Sequence, residues 1–137
     1  MEFGQPPNKP EKRDHLISMR LDKGEAKVFR YSCRSLLSSL EQDSDDYDAC
    51  QAIVDTSPGA LEVYLSEDNH ALFVYGLARY ARDVMTYIES AMLHDLAFDP
   101  QMTVRYQQAN RMAQQIAEEG EVALFRQTIP MSPEDIL

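Results

Sequence analysis

Tryptophan is absent from this 137-residue chain, glycine is limited to five residues, and cysteine to Cys33 and Cys50. No apolar run approaches the roughly 18 residues that a membrane span needs, so no membrane helix is expected. The glycines form neither a G-x-G-x-x-G nor a Walker pattern, which leaves no phosphate cradle of the loop-and-helix kind. Gly24, Gly76 and Gly120 each stand alone inside helical pattern, where close packing or a local bend explains them better. Of the three histidines, His15, His70 and His94, none lies three or four residues from another histidine or a cysteine, so zinc-ligand spacing is missing. Cys33 falls on an apolar helical seam, where a free thiol behaves as a small hydrophobe. Cys50 follows a run of acids that would raise its pKa, the wrong direction for a nucleophile. No Ser-His-Asp or Cys-His signature is present. The paired carboxylates, such as Glu118/Glu119, sit at helix starts or on polar faces rather than in two contrasting environments. The expectation is a protein that is not an enzyme, with no metal and no cofactor. The polar, proline-containing start argues against a secretory signal, and with two thiols this places the chain in the cytoplasm as an expectation.

One further absence is the most informative. Residues 35–78 contain no lysine or arginine and nine Asp/Glu, so this stretch carries nearly all of the net charge of −10. Residues 1–34, by contrast, hold eight Lys/Arg against five Asp/Glu. The acidic balance argues against binding nucleic acid or anionic membranes through net charge.

Apolar periodicity supplies the fold. The first fourteen residues, with Pro6, Pro7 and Pro10 and few apolar side chains, read as a flexible arm. Residues 15–128 read as a single helical domain and 129–137, with Pro130 and Pro133, as a tail. Ile17, Met19 and Leu21 alternate with Ser18 and Arg20, so 17–21 is the sole strand candidate, and Asp22 is placed to cap the helix that follows. In 23–41, Ala26, Phe29, Cys33, Leu36 and Leu40 recur on one helical face. Ser44 is the expected N-cap of a short helix through Val54, whose first turn is acidic because carboxylates favour the positive end of the helix dipole. Ser57-Pro58 reads as a second cap-then-proline start, with one or two helical turns running through Leu65. Val74, Leu77, Ala81, Val84, Ile88 and Ala91 form one unbroken seam, and Met102, Tyr106, Ala109, Ala113, Ile116, Gly120 and Ala123 form another. These two helices, 67–97 and 100–127, are expected to make an αα-hairpin. Half of the second seam is Ala or Gly, so another helix can approach it closely, from this chain or from a second copy. The fold class expected is all-α, a compact bundle of about four helices with a long C-terminal αα-hairpin. No internal repeat is visible.

Two charged surfaces are candidates for binding. The acidic block 41–68 interleaves its acids with Tyr47, Leu61, Val63 and Tyr64, a composition suited to a basic protein groove. Its candidate contact residues are Asp43, Asp45, Asp46, Tyr47, Asp48, Glu62, Glu67 and Asp68. On the helix before it, Lys23, Lys27, Arg30 and Arg34 step by 4, 3 and 4, which puts four cations on one face, with Arg20 nearby. That stripe either meets phosphate or an acidic partner, or pairs internally with the acidic block.

The run Ile17-Ser18-Met19-Arg20-Leu21-Asp22 followed by a helix resembles the start of a ribbon-helix-helix DNA-binding protein, over about 25 of the 137 residues. The resemblance implies that Ser18 and Arg20 face the major groove while the alternate residues enter a dimer core. In that family the second helix presents its N-terminus to the DNA phosphates, whereas here that position is Asp43–Asp48, a repulsive cluster. The leading expectation is therefore a non-catalytic interaction module (inhibitor, adaptor or small subunit) docking an acidic face on a basic protein, with a small DNA-binding regulator as the alternative.

Overall fold

A computed structural model of the chain describes residues 17–66 and 68–120. The arm 1–14, His15, Glu67, Ala123 and the tail 129–137 lie outside them. Strand β1 (Ile17–Leu21) leads into helix α1 (Lys23–Leu37), then come α2 (Asp45–Val54), strand β2 (Leu61–Leu65), α3 (His70–Leu93) and α4 (Gln101–Glu119).

Local chemistry sets most of these boundaries. The side chain of Asp22 accepts the backbone N–H of Glu25 at 2.8 Å while that of Glu25 accepts the N–H of Asp22 at 3.0 Å, a reciprocal capping box that starts α1. Ser44 Oγ accepts the Tyr47 N–H at 3.1 Å and starts α2, where Asp45, Asp46 and Asp48 occupy the first turn. At the end of α3, Asp95 adopts φ 58°, Leu96 N–H donates to Ala91 O at 2.7 Å and Asp95 N–H to Met92 O at 3.2 Å, a Schellman closure made by aspartate where glycine is usual. Asp99 then accepts the Gln101 N–H at 2.9 Å ahead of α4.

Two expectations are corrected. Residues 61–65 are a strand, not a helical turn, so the molecule is mostly helical with a small sheet rather than all-α. The physical reason is the period: Leu61, Val63 and Leu65 are spaced by two, and β1 needs a partner for its backbone N–H and C=O groups. The strands run antiparallel with Ile17 opposite Leu65, Met19 opposite Val63 and Leu21 opposite Leu61. Ile17, Met19, Leu21, Val63 and Leu65 are buried beneath the helices, and Ser18, Arg20, Glu62 and Tyr64 form the outer face. The second correction concerns length. Helix α1 stops at Leu37 rather than 41, α3 ends at Leu93 rather than 97, and α4 ends at Glu119, with 121–127 outside the described residues.

The hairpin itself is present. All six residues of the α3 seam are buried, as are Ala109, Ala113 and Ile116 of the α4 seam, and α3 and α4 make the most extensive pairing in the molecule. Helix α1 crosses both and also carries α2. Phe29 and Phe73 stack at 5.5 Å between ring centroids where α1 meets α3. A Cβ on Gly76 would stand 2.6 Å from Leu36 Cδ1, so the absent side chain is what lets these helices close. The element order is strand–helix–helix twice over, a repeat of topology with no repeat of sequence.

Candidate interaction surfaces

The acids of the block are carried by three places in the fold: the start of α2, the outer face of β2 and the residues just before α3. Asp43, Asp45 and Asp48 are exposed and Asp46 and Tyr47 half-buried, all at the start of α2. Glu62 sits on the outer face of β2, 3.7 Å from Arg20 Nε across the sheet. Asp68 is exposed just before α3, and Glu67 lies outside the described residues. Exposed ion pairs such as Arg20–Glu62 contribute about 0–1 kcal/mol, so the pair matters more for neutralising the sheet's outer face than for stability.

The basic stripe is on one face of α1 as its spacing requires. Lys23, Lys27 and Arg34 are exposed and Arg30 is half-buried. Among the described residues none of the four lies within 4.0 Å of a carboxylate. Arg30 is held instead by neutral acceptors: Nε donates to Thr56 Oγ1 at 2.8 Å, Nη1 to Gly59 O at 3.2 Å, and Nη2 to Ser57 O. Lys27 Nζ and Arg34 Cζ each stand 6.0 Å from the ring centroid of Tyr31, at the edge of cation–π range. The acids beside the stripe are engaged elsewhere, Asp22 and Glu25 in the capping box and Glu25 also with Arg111.

What the sequence does not reveal is the company this stripe keeps. The stripe, with Tyr31, lines a hollow of about 450 Å³ closed by Val54, Thr56, Pro58 and Gly59. Lys23 and Lys27 also border a second hollow of about 370 Å³ with Gln101, Arg105 and Gln108 of α4. These contacts join residues more than twenty positions apart, which local periodicity does not report.

The thiols and histidines settle into structure. Cys33 and Cys50 are both free and fully buried where α1 meets α2. Burial pushes the Cys33 thiol well above its usual range. A hydrogen bond from Cys33 lowers the Cys50 pKa and outweighs burial and the Asp46 charge, which both raise it, so the net shift is opposite to the one expected from its acidic neighbours. His70 is buried with Nε2 3.1 Å from Leu65 O, and exposed His94 has Nδ1 2.9 Å from Ser90 O. Among the described residues no three His, Cys, Asp or Glu side chains come together as metal donors. No described helix is long and apolar enough to cross a membrane.

Comparison with known proteins gives no match: no family model, no curated protein and no solved structure is similar to the chain.

Proposed function

We propose that this chain is a non-catalytic interaction protein of the cytoplasm, an inhibitor, adaptor or small subunit that docks an acidic face on a basic surface of a partner protein. The supporting observation is the state of the acids at the start of α2. Asp43, Asp45 and Asp48 are exposed, and among the described residues no cation lies within ion-pair distance of them, although four cations stand on the neighbouring helix. Exposed charge of one sign steers association and selects a partner of the other sign. Tyr47 and the Ser44 cap hold the cluster on a rigid helix end, which keeps the cost of ordering it low on binding. Affinity capture with the wild-type chain and with Asp45→Asn/Asp46→Asn/Asp48→Asn as paired baits tests the reading. A basic protein retained by the first and lost from the second is the expected outcome, and equal retention on both removes the acidic face.

A second reading, a DNA-binding regulator, is favoured by one specific observation. The strand–helix–helix order occurs twice, and the two strands pair antiparallel with Ser18 and Arg20 on the outer face. The dimer core that the ribbon-helix-helix resemblance implies is supplied within one chain, because β1 pairs with β2. Two features weigh against it: Glu62 neutralises Arg20, and the start of α2 is acidic. A mobility-shift assay with duplex DNA separates the two readings, and tight, sequence-selective binding there promotes the second. Of the α4 seam, Ala109, Ala113 and Ile116 are buried within the chain, and Met102 and Tyr106 are half-buried.

A further inference from the structure

The acidic face leaves the opposite charge on this molecule without a role. Among the described residues there are nine lysines and arginines, and six of them, Lys23, Lys27, Arg30, Arg34, Arg79 and Arg105, stand on or beside the outer face of α1. Arg79 belongs to this group because its Nη2 reaches Ser35 Oγ on α1 at 3.3 Å. In a chain of net charge −10 such a concentration is a local feature, and with a Debye length of about 8 Å at physiological salt a ligand at this surface feels it more than the distant acids.

The 450 Å³ hollow within this region has the size of a small-ligand site. Among the described residues no carboxylate lines it. One side is cationic, Lys23, Lys27, Arg30 and Arg34, while the other offers the apolar surfaces of Val54 and Pro58. Tyr31, a residue 38% exposed, stands between Lys27 and Arg34. The wall is preformed, because three of the five N–H donors of Arg30 tie the 56–59 loop to α1 and leave two for a ligand oxygen. Ammonium and guanidinium groups match phosphate oxygens, and an exposed tyrosine beside an apolar strip matches the face of a planar base. An acidic peptide would satisfy the cations and leave Tyr31, Val54 and Pro58 uncovered, so the mixed lining favours a nucleotide.

We propose that this hollow is a nucleotide-binding site, taking phosphate on Lys23, Lys27 and Arg34 and the base against Tyr31 and the Val54–Pro58 strip. It is separate from the acidic face and does not depend on that face having a partner. Lys23 and Arg34 are about 16 Å apart along α1 at ~1.5 Å per residue, a length that accommodates a nucleoside triphosphate or a few nucleotides of a single strand. The shared chemistry is a nucleotide unit, and the source is decided by two arms of one experiment.

The full chain is titrated against a fluorescent ATP analogue and, separately, against a labelled eight-nucleotide thymidylate strand, at roughly 50 and roughly 300 mM salt. Binding by the nucleotide alone assigns a free ligand, and binding by the strand alone assigns a nucleic-acid segment. In either case affinity falls with salt, Lys27→Glu/Arg34→Glu weakens it by about tenfold or more, and Tyr31→Ala weakens it by about fivefold or more while preserving the salt dependence. These three side chains are exposed, so both variants should melt close to wild type, which separates lost binding from lost folding. Failure of both probes to bind below millimolar concentration overturns the proposal. So does wild-type binding by the double variant, or displacement of the bound probe by tetraglutamate as effective as displacement by unlabelled ATP.

Discussion

Arg30 shows how one side chain can look like a member of a surface stripe and act as a tie. Its spacing with Lys23, Lys27 and Arg34 is readable in the sequence, but its three bonds to Thr56, Ser57 and Gly59 are not, because they join α1 to a loop about 27 residues later. Hydrogen bonds from a charged donor contribute about 1.5–3 kcal/mol in favourable cases, and two of these, to Thr56 and Gly59, are partly buried. Arg30→Ala should therefore lower stability by about 1–3 kcal/mol in denaturant unfolding, and Arg30→Lys should restore little, since an ammonium cannot reproduce the planar fork. The glycines give a second residue-scale expectation. At Gly24 an added Cβ meets the flexible amide end of Gln108 at 3.2 Å and Asp22 Oδ1 at an ordinary 3.6 Å, so Gly24→Ala should gain up to about 1 kcal/mol of helix propensity. Gly76→Val should lose about 1–3 kcal/mol, because the branched side chain collides with buried Leu36 across the α1–α3 contact. Equal melting of the two glycine variants would refute the close-approach account of Gly76.

At the scale of elements, legibility followed the length of the periodic pattern. The α3 seam was readable because six apolar residues repeat over about five turns, and all six are buried. Helix α2 was readable from its Ser44 cap and acidic first turn. Strand β2 was not, for a local reason: Ser57-Pro58 carries the same cap-then-proline signal as a helix start, and only the alternation of Leu61, Val63 and Leu65 argued otherwise. What decides the competition is β1, whose backbone requires a partner that lies more than forty residues away in sequence. The early end of α1 has a similar origin, since turns at 38–40 stop a helix whose apolar face runs on to Leu40, while the left-handed Asp95 closes α3 just past the last residue of its seam. The hairpin supplies this scale's prediction. Ala113 is 2% exposed and lies on the buried seam of α4, the helix paired most extensively with α3. Ala113→Phe should cost about 1–3 kcal/mol by overpacking, visible as a lower melting temperature, and a variant melting like wild type would mean that α4 does not close on α3.

Across the whole molecule the separation of charge was legible and its consequence was not. The sequence allowed the stripe on α1 to neutralise the acidic block, which would make both surfaces electrically quiet. Among the described residues Arg20 pairs with Glu62 and Arg111 with Glu25, and no ion pair joins the stripe to the acids of α2. In a chain of charge −10 the acids at the start of α2, with no cation within ion-pair distance among the described residues, repel one another. Raising salt should then raise the melting temperature, because screening removes more repulsion than attraction. The triple change Asp45→Asn/Asp46→Asn/Asp48→Asn sharpens this test. Each acid gains about 0.3–1 kcal/mol from the α2 dipole, while neighbouring carboxylates ~6 Å apart in water repel by about 0.7 kcal/mol per pair. These terms oppose one another, so the variant should stay within about 1 kcal/mol of wild type at low salt and respond less to added salt. Pairing between block and stripe would give the opposite pattern, with the variant clearly destabilised at low salt and wild type weakened as salt rises. Melting curves of the two proteins across the salt series decide between a molecule that neutralises itself and one that keeps two surfaces of opposite charge open to ligands.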